Sequence, residues 1–277
     1  MTDFEKIKAY YSVLDEQHRL EKPDGRLEFE ISKRIILQYL NKSDHILDLG
    51  GGAGKYSIEL AKLGYNVTLA DLSERLLEQA KTYIQENDLP PLQSYDVVNA
   101  IDLSRYDDNS FDVIILFGPL YHLLESDERN KCVSEVYRVL RPNGIVFASF
   151  IPYLSGAVGV VSRASYFPQQ VNEDNLSEVF RTGRFNNNAN VGFQEGYYPE
   201  SKEIVQLFKK HNFTQILLRS IRSFGYNREE KLYELSEKNS SLFNKIIELI
   251  DTTSTNPAII ETCGHALYVG RKFKVGF

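Results

Sequence analysis

Short apolar runs alternate with amphipathic segments along the first half of the chain. His45–Leu49 and Phe111–Phe117 are nearly continuous in apolar residues, which predicts buried strands. Ser73 and Ser126 each precede apolar residues at helical spacing, so each is predicted to cap a helix. The pattern predicts strands before residue 151 at residues 45–49, 67–70, 93–98, 111–117 and 145–150.

Strands that alternate with helices predict an α/β fold, with a doubly wound parallel sheet and helices on both faces. The alternation breaks at residue 151, where a segment rich in Gly, Ser, Asn and aromatic residues runs to residue 198. This segment is too long for a plain connector, which predicts a lid or insertion. Beyond it we expect a helix opened by Pro199, strands at residues 213–221 and 266–269, and a helical insertion at residues 228–250 in two pieces.

The first 40 residues predict a separate helical layer. Two helices are expected there, separated by the turn signal Lys22-Pro23-Asp24-Gly25. The predicted organisation is therefore a helical cap at residues 1–40, a core at 41–150, a lid at 151–198 and a C-terminal part of the core sheet at 199–277.

Composition and charge restrict the classes of function. The 277 residues are 42% hydrophobic and 25% charged, which is typical of a globular protein. The formal net charge of −6 argues against nucleic acid as a general partner. Cys132 and Cys263 fit no disulfide or zinc pattern. The sequence has no cluster of His and carboxylate ligands, so no metal is expected. No signal-type segment or membrane-length apolar run is found, so a cytoplasmic protein without a membrane partner is expected.

The sharpest motif is a glycine-rich loop between the first predicted strand and the next helix. It reads Asp48-Leu49-Gly50-Gly51-Gly52-Ala53-Gly54, and glycines there let a ligand approach the backbone closely. Asp71 stands at the end of the second strand, where a carboxylate can accept hydrogen bonds from ribose hydroxyls. Loop and acid together predict a nucleoside site at the carboxyl edge of the sheet.

The spacing of the loop distinguishes between nucleotide-binding motifs. A dinucleotide fingerprint needs a sixth-position glycine where this chain has Lys55, and a Walker loop is absent. What fits is an acid followed by glycine at every second position, at Asp48, Gly50, Gly52 and Gly54. This segment resembles motif I of the class I S-adenosylmethionine-dependent methyltransferases.

The resemblance covers residues 44–150 and implies S-adenosylmethionine as the cofactor. It implies that Leu72 lies against the adenine, that Asn99 bonds the adenine amino group and that the Ala100 backbone bonds a ring nitrogen. The segment from Phe117 to His122 is similar to the loop that holds the methionine part. The cofactor site implied in this way is Asp48, Gly50, Gly51, Gly52, Asp71, Leu72, Asn99, Ala100 and Phe117.

The resemblance also implies the complete fold. The family has a Rossmann-like seven-stranded sheet that is mostly parallel, with an antiparallel last strand. The late helix followed by the predicted strands at residues 213–221 and 266–269 suits that pattern. A helical cap over this sheet is then expected from residues 1–40.

The N-terminal helices supply further candidates for the cofactor site. Tyr11 is predicted to pack near the sulfonium, whose positive charge an aromatic face favours. Arg19 is predicted to pair with the cofactor carboxylate. The alternative is a packing tyrosine and a solvated arginine. Arg26 and Glu28 follow the predicted turn and are weaker candidates.

His122 and Tyr121 are the candidates for catalysis, since they follow the fourth strand at the carboxyl edge of the sheet. A histidine can take a proton from a hydroxyl or thiol nucleophile near physiological pH. Tyr121 can form a wall or donate a hydrogen bond. The alternative for His122 is a capping or packing role, and His265 is interpreted as structural.

The sequence therefore predicts an S-adenosylmethionine-dependent methyltransferase acting on a small molecule by in-line displacement. Aromatic residues are dense in residues 151–198, which suggests an aromatic or amphipathic acceptor. Two alternatives stay open: an NAD(P)-dependent oxidoreductase, and a module that binds the cofactor without catalysis. The acceptor, the attacked atom (O, N, C or S), the use of a base and the oligomeric state are left undetermined.

Overall fold

A computed structural model describes residues 2–13, 22–187 and 193–273. The strands are β1 (His45–Leu49), β2 (Asn66–Asp71), β3 (Ser94–Val97), β4 (Phe111–Phe117), β5 (Leu140–Phe150), β6 (Arg184–Asn186), β7 (Glu195–Tyr197), β8 (Phe213–Ser220) and β9 (Ala266–Lys272). The helices are α1 (Phe4–Val13), α2 (Pro23–Leu37), α3 (Lys55–Lys62), α4 (Glu74–Glu86), α5 (Pro119–His122), α6 (Ser126–Val139), α7 (Tyr153–Tyr166), α8 (Glu173–Thr182), α9 (Ser201–Lys210), α10 (Glu229–Lys238), α11 (Ser240–Thr253) and α12 (Pro257–Thr262).

The main sheet of the described residues has the order β3-β2-β1-β4-β5-β9-β8. Strands β1 to β5 pair in parallel, whereas β9 is antiparallel to both β5 and β8. The predicted seven-stranded, mostly parallel sheet with an antiparallel last strand is confirmed. Because the strand order reverses between β1 and β4, their carboxyl ends flank a crevice of the kind that binds ligands in such sheets.

The two faces of the sheet bury separate apolar layers. On one face, Ile46 of β1 belongs to the same cluster as Ile36 of α2 and Leu77 of α4. On the other face, Leu47 of β1 clusters with Val136 of α6. These side chains are all buried, so the alternation along β1 places helices on both faces and holds its carboxyl end firmly.

Three local predictions are wrong by a few residues. Lys22–Gly25 is not a turn between helices, because α2 begins at Pro23, and proline is well tolerated in the first helical turn. Helix α6 is capped by Glu125 in a capping box with Glu128, so Ser126 is the first helical residue. Helix α9 likewise begins at Ser201 with Glu200 as its N-cap, so Pro199 precedes the helix instead of opening it.

The remaining boundaries shift for physical reasons. Strand β5 begins at Leu140, five residues before the predicted start at residue 145, and its pairing with β4 has an irregularity between Phe111 and Val113. The predicted helical insertion at 228–250 is present as α10 and α11, and α12 was not predicted. The segment 151–198 is mostly regular in its described part, with α7, α8 and the β6–β7 hairpin around a small core of Val160, Val179, Phe185 and Tyr198. That it acts as a lid stays a prediction.

The end of β9 closes the opposite edge of the fold. Lys272 is buried, and its Nζ donates to the carbonyls of Tyr137 (2.8 Å) and Leu140 (2.6 Å) and to Asn109 Oδ1 (2.9 Å). The last carbonyls of a helix have no partner within the helix, so this amine completes the C-terminus of α6. Of the helices described, none combines the length and the apolar character needed to cross a bilayer.

Candidate functional site

A pocket opens at the carboxyl ends of β1, β2 and β4, where the strand order reverses. Its walls come from α1, the glycine loop, the end of β2, the loop after β3 and the segment around α5. Apart from Arg26 and Glu28, every predicted site residue that the structure describes lines this pocket, and Arg19 lies outside the described residues. The residues brought together are Tyr11, Asp48, Gly50, Gly51, Gly52, Asp71, Leu72, Asn99, Ala100, Phe117, Tyr121 and His122.

The glycine loop needs glycine for both backbone conformation and space. The Gly50 amide donates to the Ala70 carbonyl at 2.8 Å, which ties the loop to β2. Gly50 has a φ of +77°, and a Cβ added there would stand 2.7 Å from Cδ of Pro119. The loop therefore passes the α5 segment so closely that a side chain at Gly50 would collide with it.

The carboxylate of Asp71 points into the crevice and organises it. Its Oδ2 accepts the Gly52 amide at 2.9 Å, and its Oδ1 accepts the Ser73 amide at 2.8 Å. Asp71 thus joins the glycine loop to the start of α4. A carboxylate oxygen can accept more than one hydrogen bond, so a carboxylate that lines a pocket suits the hydroxyls of a ligand.

Helix α1 forms one wall of the pocket with a single stripe of side chains. Phe4, Ile7, Lys8 and Tyr11 all line the pocket, at the i, i+3, i+4 and i+7 spacing of one helix face. The helix is tied down at its start, where the Thr2 amide donates to Glu128 of α6 at 3.0 Å. The first helix therefore belongs to the site itself.

Aromatic rings surround His122 at one end of the pocket. Its Nε2 lies 2.8 Å from the Tyr11 hydroxyl, and its ring centroid lies 4.8 Å from that of Tyr121 and 5.4 Å from that of Phe193. Burial lowers the pKa of His122 to about 4, so the imidazole is neutral at physiological pH. This end of the pocket is apolar, ring-lined and uncharged at His122.

The comparisons with known proteins agree with this geometry. Residues 47–148 match a family model described as a methyltransferase domain. The ubiquinone/menaquinone biosynthesis C-methyltransferase of Zymomonas mobilis is 31% identical over 150 residues, 52% of this chain and 56% of that protein. A demethylmenaquinone methyltransferase of Leptospira interrogans is 33% identical over 104 residues, 36% of this chain and 40% of that protein. The chain spans about half the length of the curated relatives it matches.

Residues 47–148 therefore form a methyltransferase domain, and this part of the chain is similar to the class I S-adenosylmethionine-dependent methyltransferases. Solved structures share the fold of this chain. One from Methanosarcina mazei has a TM-score of 0.61 at 21% identity, covering 86% of this chain and 97% of that chain. The 1,6-didemethyltoxoflavin-N1-methyltransferase of Burkholderia thailandensis has a TM-score of 0.56 at 14% identity, covering 98% of this chain and 86% of that chain.

Asp48 lines the pocket as a buried carboxylate with one oxygen unsatisfied among the described residues. Its side chain is buried, and its Oδ2 accepts the Ser57 hydroxyl at 2.6 Å. The buried Oδ1 has no hydrogen-bond donor among the residues that the structure describes. Burial, and to a smaller extent the charge of Asp71, raises the pKa of Asp48 to about 6. A cationic ammonium beside Oδ1 would satisfy this oxygen and favour the ionised form.

Of the other predicted residues that the structure describes, Asn99 lines the pocket, whereas Arg26 and Glu28 do not. Asn99 lines the pocket, with its Oδ1 accepting the Ile101 amide at 3.2 Å. Arg26 pairs with Glu30 and stacks on Tyr233 instead, and neither Arg26 nor Glu28 is among the described lining residues. In the described ranges, no group of three or more His, Cys, Asp or Glu is arranged to hold a metal ion.

Sequence reasoning missed part of the pocket wall. Phe4, Ile7 and Lys8 were not predicted, although their helical spacing with Tyr11 is a usable signal. Lys55 was considered only as a departure from the dinucleotide fingerprint, yet it lines the pocket at the start of α3. The further unpredicted lining residues include Tyr56, Ser73, Leu76, Pro119 and Leu123.

His122 is expected to make the stability of the protein sensitive to mild acid. Its pKa is 6.5 in the unfolded chain and about 4 in the folded protein. Between these values the unfolded state binds more protons, so lowering the pH lowers the free energy of unfolding. Between pH 7 and pH 5, His122 is expected to lower the free energy of unfolding of wild type by about 2 kcal/mol, and His122→Gln should remove this decrease. Urea unfolding at both pH values measures it.

Asp48 acts in the opposite direction over the same range. Its folded pKa of about 6 lies above its unfolded value of 3.8, so Asp48 adds stability as the pH falls. Asp48 is present in both wild type and His122→Gln, so it contributes equally to the pH dependence of both. The difference in pH dependence between the two proteins therefore gives the contribution of His122 alone. Equal pH dependence in the two proteins would contradict a buried neutral imidazole at His122.

Proposed function

We propose that this chain transfers a methyl group from S-adenosylmethionine to a small, planar aromatic acceptor. The observation that carries the proposal is one continuous pocket with two chemically different ends. Asp71 and the glycine loop line one end, and the rings of Tyr11, Tyr121 and His122 line the other. A nucleoside suits the first end and a flat apolar ring suits the second.

The polar end binds the cofactor through complementary groups. Asp71 is proposed to accept hydrogen bonds from the ribose hydroxyls, with Leu72, Asn99 and Ala100 around the adenine. Asp48 receives the ammonium group, because its buried Oδ1 lacks a donor among the described residues. When bound, the cofactor supplies a methyl group made electrophilic by its sulfonium. These contacts orient that methyl group toward the aromatic end.

The aromatic end holds the acceptor and excludes water. Methyl transfer depends chiefly on alignment of nucleophile and methyl carbon in a dry site, because a neutral thioether leaves without protonation. Tyr121 is proposed to form a wall for the acceptor ring. His122 was predicted as a general base, but a pKa of about 4 makes it a weak proton acceptor at neutral pH. We therefore propose that His122 and Tyr11 shape the acceptor site through their hydrogen bond.

The relatives support a ring as the acceptor. The Zymomonas mobilis relative is named for C-methylation in ubiquinone and menaquinone biosynthesis, and the Leptospira interrogans relative for methylation of demethylmenaquinone. The net charge of −6 argues against nucleic acid as the acceptor. A cytoplasmic setting stays a prediction.

The proposal is tested in two steps with the purified chain. Calorimetry should show saturable one-to-one binding of S-adenosylmethionine and S-adenosylhomocysteine, with no binding of NADH. Methyl-labelled S-adenosylmethionine should then label a reduced naphthoquinone. NADH binding in place of S-adenosylmethionine would support an oxidoreductase, and cofactor binding without label transfer to any ring acceptor would support a non-catalytic module.

A further inference from the structure

Helix α3 begins at the pocket with a lysine where the electrostatics of the helix disfavour one. Lys55 is the first residue of α3, lines the pocket and is half-buried. The N-terminus of an α-helix carries a partial positive charge, so acidic side chains are favoured there and basic ones are not. The first turn of α3 nevertheless contains no acidic residue. A residue that opposes the local preference of its helix and lines a pocket is a candidate for binding a ligand.

The N-cap residue of α3 cannot supply a polar side chain to this end of the helix. It is Gly54, with a φ of +76°. An added Cβ at Gly54 would stand 2.9 Å from the Leu69 side chain, so an ordinary capping residue does not fit there. The first amides of an α-helix have no acceptor within the helix, and here the Lys55 amine adds a full positive charge beside them. This part of the pocket wall therefore suits an anionic group of a ligand.

A buried carboxylate lies beside the same helical turn. Ser57, the third residue of α3, donates its hydroxyl to Oδ2 of Asp48 at 2.6 Å, which holds the carboxylate against the start of the helix. Asp48 is 1% exposed and lines the pocket, and its Oδ1 has no donor among the described residues. The pocket therefore presents an unsatisfied anion next to a positively charged helix end. This pair is complementary to a zwitterion, in which an ammonium and a carboxylate share one carbon.

The Lys55 amine lies on the side of the pocket that faces α2. Its Nζ is 5.9 Å from the centroid of the Phe29 ring, and that ring lies 4.9 Å from the ring of Tyr56. The Tyr56 ring in turn lies 5.1 Å from that of Phe117 at the end of β4. Tyr56 and Phe117 both line the pocket, so Lys55 belongs to the part of the wall that α3 and β4 form. Asp71 belongs to a different part, at the end of β2.

We propose that Lys55 binds the carboxylate of the amino-acid end of S-adenosylmethionine, so that the pocket selects nucleosides that carry this group. The inference rests on the proposed cofactor contacts of Asp48 and Asp71. With the ammonium at Oδ1 of Asp48, the carboxylate on the same carbon lies beside the first turn of α3. The Lys55 amine donates to this carboxylate from the side of α2. Arg19, the candidate from the sequence, lies outside the described residues and is compared directly in the test.

The test compares two ligands that differ only in the carboxyl group. S-adenosylhomocysteine has this group, and S-adenosyl-3-thiopropylamine is the same molecule without it. Calorimetry measures the binding of each ligand to the purified chain and to Lys55→Met, which keeps an unbranched side chain and removes the charge. We expect Lys55→Met to bind S-adenosylhomocysteine about tenfold more weakly, because a partly solvated charge-assisted hydrogen bond is lost. It should bind the amine at least as tightly as wild type, because the repulsion between two ammonium groups is removed.

Matched variants separate the charge of Lys55 from its packing. Lys55→Arg keeps the positive charge and should keep most of the preference for S-adenosylhomocysteine over the amine. Lys62→Met removes a lysine from the other end of α3, outside the described lining residues, and should bind both ligands like wild type. Added salt should reduce the preference more in wild type than in Lys55→Met. Because Lys55 opposes the helix dipole, Lys55→Met should unfold at the same or a higher urea concentration than wild type.

The outcomes that would overturn the proposal are distinct from those that concern the proposed function. Equal weakening of both ligands in Lys55→Met would make Lys55 a structural residue. An unchanged preference in Lys55→Met would also overturn the proposal. So would a preference that is lost in Arg19→Met, or in Lys8→Met at the α1 wall of the pocket, but kept in Lys55→Met. Absence of S-adenosylhomocysteine binding in wild type would contradict the proposed function, on which this inference rests.

Discussion

Replacing Asp71 by alanine is expected to weaken the binding of S-adenosylmethionine at least a hundredfold. The variant loses the proposed ribose contacts, and hydrogen bonds to a charged group contribute about 1.5–3 kcal/mol each. Two such losses amount to about 3 kcal/mol or more, which is about two powers of ten in affinity. The Gly52 amide also loses its acceptor, so the glycine loop is less firmly held. Isothermal titration calorimetry measures the change.

Two further variants separate the causes of this effect. Asp71→Asn keeps one acceptor oxygen but removes the charge, so its affinity should lie between those of wild type and Asp71→Ala. Asp107→Ala removes an exposed carboxylate outside the pocket and should bind like wild type. Wild-type affinity in Asp71→Ala would show that the ribose does not lie at the end of β2.

Gly50→Ala is expected to destabilise the protein by about 3 kcal/mol and to abolish cofactor binding. A non-glycine residue at positive φ costs about 1–2 kcal/mol. Overpacking costs about 1–3 kcal/mol more, because the new Cβ would stand 2.7 Å from the Pro119 ring. Urea unfolding measures the first effect and calorimetry the second.

Gly64→Ala is the matched control for backbone strain. Gly64 has a φ of +82°, close to that of Gly50, but an added Cβ there meets nothing within 4 Å. Its replacement should cost only about 1 kcal/mol and leave cofactor binding unchanged. If both variants lost the same stability, the approach of Pro119 to the glycine loop would not be a tight contact.

Most of the cofactor end could be predicted because its signals are local in sequence. The alternation of short strands and helices specifies the parallel sheet, and the spacing of Asp48 and its following glycines specifies the loop. Asp71 then follows from topology, since the ends of neighbouring parallel strands meet at one edge. These residues lie at the ends of strands that the apolar runs of the sequence predict, so their positions follow from the predicted strands.

The aromatic end was less predictable because it is assembled from distant segments. Tyr11, His122 and Phe193 meet only in the folded chain, and no pattern in the sequence links them. The contact of His265 with Glu28, 237 residues away, was likewise not predicted. The pKa of His122 depends on how completely it is buried, which spacing alone does not specify. Sequence reasoning therefore located the histidine but not its protonation behaviour.

Lys272 has a consequence for the order in which the chain can become stable during its synthesis. The carbonyls that it binds, at Tyr137 and Leu140, leave the ribosome more than a hundred residues before the lysine does. Until then the end of α6 lacks these hydrogen bonds, and β5 lacks its antiparallel neighbour β9. The nascent N-terminal half, although it carries the whole glycine loop, therefore cannot reach its full stability before β9 has been synthesised.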